Sequence, residues 1–313
     1  MRYVLALALF VLPSFAVPAR AQQPMEGDKN WTELEKTLWD ADQQWLCAGP
    51  YEKPYKDCVE FRSKYWDDQF FEVYPSGMVT TKLEMVASQS AGTGAPGTGP
   101  FPGTFKLRAV YGNFALATDS TAFKAADPGG VPYFIADSRW LRLFVLVNGK
   151  WRPAAGAGVP TVAPKSWLTS MGQQSANGKR RSPDEKLEKE LAAIDTKWLD
   201  SAMHGRMDYL NNLFADRWFE ILGWIPTADV TKASAMTGIP KLNPKPGEGV
   251  FPDEFKLWAV YGDVALATDR RTRKWTDYGH FTNTPHRGLL VFVKQNGQWK
   301  SAATALVPIA GPQ

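Results

Sequence analysis

The sequence predicts an α+β protein built twice over, each half carrying its helices on one side of a curved antiparallel sheet. Three observations carry the prediction. The stretch Phe105-Lys-Leu-Arg-Ala-Val-Tyr-Gly-Asn-Phe-Ala-Leu-Ala-Thr-Asp119 returns as Phe255-Lys-Leu-Trp-Ala-Val-Tyr-Gly-Asp-Val-Ala-Leu-Ala-Thr-Asp269, an offset of 150 residues. From Pro96 to Asp119 against Pro246 to Asp269, 17 of 24 positions are identical, so one ancestral unit is written twice. Each half also opens on a helix-periodic stretch bearing a tryptophan and closes on an Asn-Gly hairpin, at Asn148-Gly149 and Asn296-Gly297.

Taken in order, Thr32 and Glu35 have capping-box spacing at the first helix. Ser182-Pro183-Asp184-Glu185 repeats that signal, with Pro at the first helical position. The helices align as Leu34-Glu-Lys-Thr-Leu38, Asp42, Trp45-Leu46 and Leu187-Glu-Lys-Glu-Leu191, Asp195, Trp198-Leu199. Leu187, Leu191, Ile194 and Trp198 share one face, which must be buried. A second short helix ends near Trp66 and Phe214. A strand follows, Gln69 to Tyr74 and Arg217 to Trp224, with a shared Phe-Glu pair (Phe71-Glu72, Phe219-Glu220). A third short helix is expected over Val79 to Ala87 and Val230 to Met236. The repeated stretch is a hairpin turned at Gly112 and Gly262, and two further strands, Arg139 to Pro160 and Arg287 to Pro308, complete a four-strand meander.

The chain divides into a signal peptide (1–21), a tail (22–30), a first domain (31–163), a linker (164–182) and a second domain (183–310). Arg2, the apolar run Val4 to Val17 and Ala19-Arg20-Ala21 have the order of an export signal, so a periplasmic or secreted protein starting at Gln22 is expected, with no membrane span. Loss of Arg2 and Arg20 leaves 36 − 2 = 34 basic residues against 32 acidic ones, too little for a nucleic-acid footprint. Lys179-Arg180-Arg181 reads as a solvated linker face. Cys47 and Cys58 are read as a disulfide, with a reactive or metal-binding pair as the alternative. From Trp45 to Trp66 is 21 positions, whereas Trp198 to Phe214 is 16, so the bridge would pin an insertion peculiar to the first half.

The tryptophan-bearing first helix, the Tyr-Gly-Asp-x-Ala hairpin and the closing Asn-Gly-x-Trp hairpin resemble those of SnoaL-like proteins, in the nuclear transport factor 2-like superfamily. The resemblance covers about Trp31 to Ala163 and about Asp184 to Ala310. It implies two tandem cone-shaped domains, each a sheet wrapped around about three helices with a pocket at the open end. It also implies pairing through the outer faces of the sheets, here within one chain. Ketosteroid isomerase-like and polyketide cyclase-like relatives use an aspartate base, and no such motif transfers here residue by residue.

Asp42 and Asp195 stand three residues before the helix-one tryptophans, so carboxylate and indole face inward together. Each is either a structural carboxylate bonded to sheet backbone or Trp, or a desolvated acid with a raised pKa. Pocket candidates are therefore Asp42, Trp45, Tyr111, Asp195, Trp198 and Tyr261. The tyrosine hydroxyls are expected to reach solvent, as are Asp119 and Asp269 at their strand ends. His204, His280 and His286 are the only histidines, all in the second half; His280 and His286 flank a loop near Asp277 and are candidate bases beside Asp195. No ligand set for a metal is complete. Gly92-Thr-Gly94-Ala-Pro-Gly97 matches a dinucleotide pattern but follows a helix and precedes Pro100 and Pro102, so no cofactor is expected.

With abundant aromatics and no recognisable catalytic set, the sequence reads as a protein binding a small apolar or amphipathic molecule in one or both cones. The alternative is an acid/base enzyme of isomerase, cyclase or hydrolase type, working in the second half only through Asp195 with His280 or His286. A third reading is a protein-interaction module of the cell envelope.

Overall fold

A computed structural model describes residues 31–47, 55–74, 77–90, 104–126, 132–162, 182–222, 229–239, 244–277 and 280–309. The export signal, the Gly92–Gly97 pattern, Lys179–Arg181 and all of the linker but its last residue lie outside them. The first half runs α1 (Trp31–Leu46), α2 (Tyr55–Tyr65), β1 (Phe71–Val73), β2 (Val79–Thr81), α3 (Lys82–Ser90), β3 (Lys106–Tyr111), β4 (Phe114–Ala126), β5 (Pro132–Val147) and β6 (Lys150–Val162). The second repeats it as α4 (Glu185–Met203), α5 (Met207–Leu213), β7 (Phe214–Leu222), β8 (Val230–Thr231), α6 (Lys232–Gly238), β9 (Gly249–Tyr261), β10 (Val264–Asp277), β11 (His280–Gln295) and β12 (Gln298–Pro308). The chain is thus α+β, with two tandem domains. Their six-stranded sheets share one topology, β2-β1-β6-β5-β4-β3 and β8-β7-β12-β11-β10-β9.

Local chemistry sets these boundaries. Asn148 and Gly149 have φ of 51° and 73°, and Asn296 and Gly297 have 52° and 76°, the pair of left-handed residues that a two-residue hairpin needs. Two start signals differ from expectation. The second first helix is capped by Asp184, whose carboxylate accepts from the Lys186 and Leu187 amides, so α4 begins two residues after Pro183. Glu35 does not cap α1; its carboxylate accepts the Leu107 amide at 3.1 Å, and Glu188 accepts that of Leu257 at 2.7 Å. Each first helix is thereby tied to its sheet. The expected third helices start later, because the residues before Lys82 and Lys232 pair with β1 and β7 as short strands. Thr81 with Glu84, and Thr231 with Ser234, then cap α3 and α6.

Each sheet has two buried faces. The inner faces pack on the helices through Leu38, Trp45, Trp66, Phe70 and Phe144, and through Leu191, Trp198, Phe214, Trp218 and Phe292. The outer faces pack on each other in one apolar layer that includes Phe71, Leu143, Ala155, Phe219, Trp258 and Val291. Phe71 stacks on Trp258 with centroids 5.2 Å apart, and Phe114 lies 5.6 Å from Tyr261. Cys47 and Cys58 form a disulfide linking the end of α1 to α2. No described helix is long and apolar enough to cross a membrane.

Candidate functional site

Opposite residues on paired antiparallel strands share a face, so the register places the inner rows of the two sheets side by side. In the first half one row reads Ala117, Arg142, Gly156, Glu72, and the next Asp119, Trp140, Gly158. In the second the same rows read Ala267, Leu290, Thr304, Glu220 and Asp269, Gly288, Leu306. One row further toward the open end stand Thr121 and Ser138 in the first half, Arg271 and His286 in the second. The arginine has changed strand between the copies, from β5 to β4's counterpart β10, while the three acids have kept their places.

Both arginines meet those acids under the first helix. Arg142 Nε lies 3.1 Å from Asp42 Oδ1 and 3.2 Å from Asp119 Oδ2, and Nη1 lies 3.7 Å from Glu72 Oε1. The guanidinium sits between two indoles, 4.4 Å from the Trp45 ring and 4.3 Å from that of Trp140. In the second half Arg271 Nε donates to Asp269, and Nη2 lies 3.6 Å from Asp195 Oδ1. The second oxygen of Asp269 accepts the Gly288 amide at 2.9 Å. Trp198 covers this guanidinium from 5.1 Å. Glycines make both arrangements fit. A Cβ at Gly156 would stand 2.6 Å from the Trp45 ring, and one at Gly288 would stand 2.2 Å from Asp269 Oδ1.

Asp42, Asp119 and Arg142, like Asp195, Asp269 and Arg271, are at most 3 % exposed. Burial raises the Asp42 carboxyl well above its usual range; Arg142 opposes the rise, while Asp119 and Glu72 reinforce it. Burial also raises Asp119, against the pull of Arg142. Glu72 is pushed up to about 7 by burial, again against Arg142. In the second half burial brings Asp195 to about 7, with the nearby Asp269 adding to it, and Glu220 to about 7. Burial alone would lower the two guanidinium groups, yet the surrounding carboxylates hold both raised. Each cluster is therefore a cation among buried acids, of which Glu72, Asp195 and Glu220 are raised to about 7. Several of its atoms make no well-aligned hydrogen bond, among them Arg142 Nη2 and Thr304 Oγ1, while Asp42 Oδ1, Arg142 Nη1, Asp195 Oδ1 and Arg271 Nη2 are held by ion-pair contacts alone.

The structure brings Asp42 with Trp45, and Asp195 with Trp198, into these clusters; the partner of each aspartate is a guanidinium, not sheet backbone or indole. Asp119 and Asp269 are corrected: buried and ion-paired, they do not meet solvent. Tyr111 and Tyr261 lie on the other face of their sheets, against the apolar layer between the halves. Their hydroxyls do not reach solvent as expected. That of Tyr261 donates to Asp67 Oδ1 at 2.7 Å, while that of Tyr111 is buried without a partner and pushed up to about 12 by burial. The two hairpin tips instead line an open cleft of about 410 Å³ with Val293 and Lys294. His286 is buried on the inner face, in register with Arg271. His204 is exposed at the end of α4, bonded to Asp200. His280 begins β11 opposite Asp277. No group of metal-binding side chains occurs among the described residues.

Sequence reasoning missed Glu72, Glu220, Arg142 and Arg271. The signal for Arg142 was its parity: in Trp140-Leu-Arg-Leu-Phe144 it shares the inward face with two aromatics, where a cation requires a buried partner.

No family model matches the chain, and no curated protein matches it in sequence. Solved structures do. The association domain of C. elegans CaMKII aligns over 39% of this chain and 96% of its own, at 10% identity and a TM-score of 0.35. An NTF2-like protein from Cytophaga hutchinsonii aligns over 44% and 99%, at 20% identity and a TM-score of 0.30. An NTF2-like protein with a cystatin-like fold from Novosphingobium aromaticivorans aligns over 42% and 93%, at 15% identity and a TM-score of 0.31. Each neighbour spans about one half of the tandem.

Proposed function

We propose that the cones bind a small amphipathic molecule, its polar end on the acid–arginine cluster and its apolar part against the aromatic side chains of the first helix. The observation that carries this is the set of buried polar atoms without hydrogen-bond partners around Arg142 and Arg271. Such atoms cost about 1–3 kcal/mol each when left unpaired, a cost that a guest with matching donors and acceptors removes. This reading narrows the sequence-based expectation of an apolar or amphipathic guest to the amphipathic one, because charged side chains lie inside the cone. The test is a thermal-shift and calorimetric titration with octanoate, octylamine and octanol, equal chains with anionic, cationic and neutral heads. At least one should raise the melting temperature, and Arg142→Met with Arg271→Met should abolish the shift. No shift with any of the three, or undiminished shifts in that variant, would remove the cones as the site.

A second reading, acid/base chemistry in the second half, is favoured by one observation. Asp195, raised to about 7, lies beside Arg271, whose register neighbour is the buried His286. Deuterium incorporation alpha to the carbonyl of a cyclic ketone in D₂O, lost in Asp195→Asn, would support it; none above the buffer rate would end it. Export is part of the proposal, supported by the apolar leader and by the Cys47–Cys58 disulfide. Amino-terminal sequencing of the mature protein should read from Gln22.

A further inference from the structure

The two crossings between the halves are related by the repeat, and their chemistry has been exchanged. At one, Trp258 of β9 stacks on Phe71 of β1, beside the buried Val79 of β2. At the other, the matching residues are Arg108 of β3, Phe219 of β7 and Asp229 just before β8. Arg108 lies 6.0 Å from the Phe219 ring and pairs with Asp229, which also receives Arg139 of β5. The Asp229 side chain is only 4% exposed, and that of Arg139 11%. The hairpins differ as well: Tyr261 donates to Asp67, whereas the position that matches Asp67 in the second half is Ala215, whose side chain has no acceptor to offer Tyr111.

We infer that these crossings are a matching code by which the first half accepts the second half of its own chain and rejects a like half from another copy. The partner this surface fits is therefore the complementary sheet, not its twin. Two first halves in the same geometry would set each Arg108, with Arg139 beside it, against Phe71 and Val79, with no carboxylate at the place of Asp229. Two second halves would place each Asp229 against Trp258 in place of Arg108, leaving as its one cation Arg287, the counterpart of Arg139, which already lies 3.6 Å from Glu254. A buried charge that loses its partner is strongly destabilising, whereas the aromatic crossing alone would tolerate either pairing. The exchanged ion pair supplies the discrimination that the rest of the apolar layer lacks. This inference does not depend on what the cones bind.

The test uses the full chain in light and isotope-heavy forms, unfolded together in urea, refolded and counted by native mass spectrometry. The wild type should return as monomer. Arg108→Trp with Asp229→Val copies the aromatic crossing onto the ionic one, removing the charge mismatch between like halves. That variant should show at least a tenfold larger fraction of mixed light–heavy dimer at equal concentration. Asp229→Asn, which keeps the shape and removes the stranded charge, should fall between them and serves if the double variant does not refold. A wild type that already exchanges halves, or refolded variants with no more mixed dimer than the wild type, would overturn the inference.

Discussion

Glu72 offers the sharpest test of the electrostatics inside the cones. Its carboxyl rises from 4.5 to about 7, because burial outweighs the attraction of Arg142. The unfolded chain releases this proton near 4.5 and the folded chain holds it until about 7. Between those values the unfolded state binds fewer protons, so stability falls as pH rises, and the loss is complete above the folded value. From pH 5 to pH 8 this one group removes about 2–3 kcal/mol, or about 5 °C in melting temperature for a chain of this size. Asp42, Asp119, Asp195 and Glu220 shift in the same direction, so the wild type should melt at a clearly lower temperature at pH 8 than at pH 5. Glu72→Gln keeps the shape and removes the titration. In urea and calorimetric melts it should match the wild type at pH 5 and exceed it by about 2–3 kcal/mol at pH 8. If attraction to Arg142 outweighed burial, Glu72→Gln would instead lose stability at pH 8, and that result would refute the reasoning.

Other substitutions probe the geometry. Gly288→Ala places a methyl group 2.2 Å from Asp269 Oδ1 and should cost about 1–3 kcal/mol by urea denaturation, although the extended backbone there accepts any residue. Tyr111→Phe removes a buried hydroxyl that has no partner and should be neutral or slightly stabilising, whereas Tyr261→Phe leaves Asp67 Oδ1 with only the Gln69 amide as donor and should cost about 1 kcal/mol. Arg271→Thr alone should cost roughly 3–5 kcal/mol by stranding the carboxylates. Adding Leu290→Arg and Thr304→Gly, which copies Arg142 and Gly156, should restore at least half of that loss in the same melts.

The repeat made the fold legible. Seventeen shared positions fix both hairpins, and the Asn-Gly turns fix the register of the last strands. Local signals served less well at the helix starts, because Glu35 and Glu188 are spent on sheet amides far away in sequence instead of on their own helix ends. The site was half legible. Asp42 and Asp195 stood out by their spacing from tryptophan, a helical regularity. Arg142 and Arg271 escaped an alignment of the two halves because each faces a non-arginine at its matching position, Leu290 and Thr121. Only strand register shows that side chains from different backbone positions reach the same point. Tyr111 and Tyr261, pocket candidates by sequence, line the cleft at the hairpin tips; their strands are buried on both faces, and alternation alone does not say which face is which.

That shared point is informative about what the clusters are for. Replacing a buried ionic group by apolar side chains of equal volume is often neutral or stabilising, so packing alone gives no reason to keep one. After duplication the first half carries Trp140, Gly158, Arg142 and Gly156, while the second carries Gly288, Leu306, Leu290 and Thr304 in the same places. Volume was redistributed across the rows, and an arginine was lost from one strand and present on the next. Yet a guanidinium among three carboxylates, beneath the same tryptophan, stands in both halves. If stability were the only demand, the two rows that carry Leu290 and Leu306 had the volume to become wholly apolar, with Asp195, Glu220 and Asp269 replaced as well. The charge was kept while its backbone origin was not, which is the pattern expected when a buried cation among carboxyl groups is itself what is retained, and it is the pattern that the proposed binding of a polar head group requires.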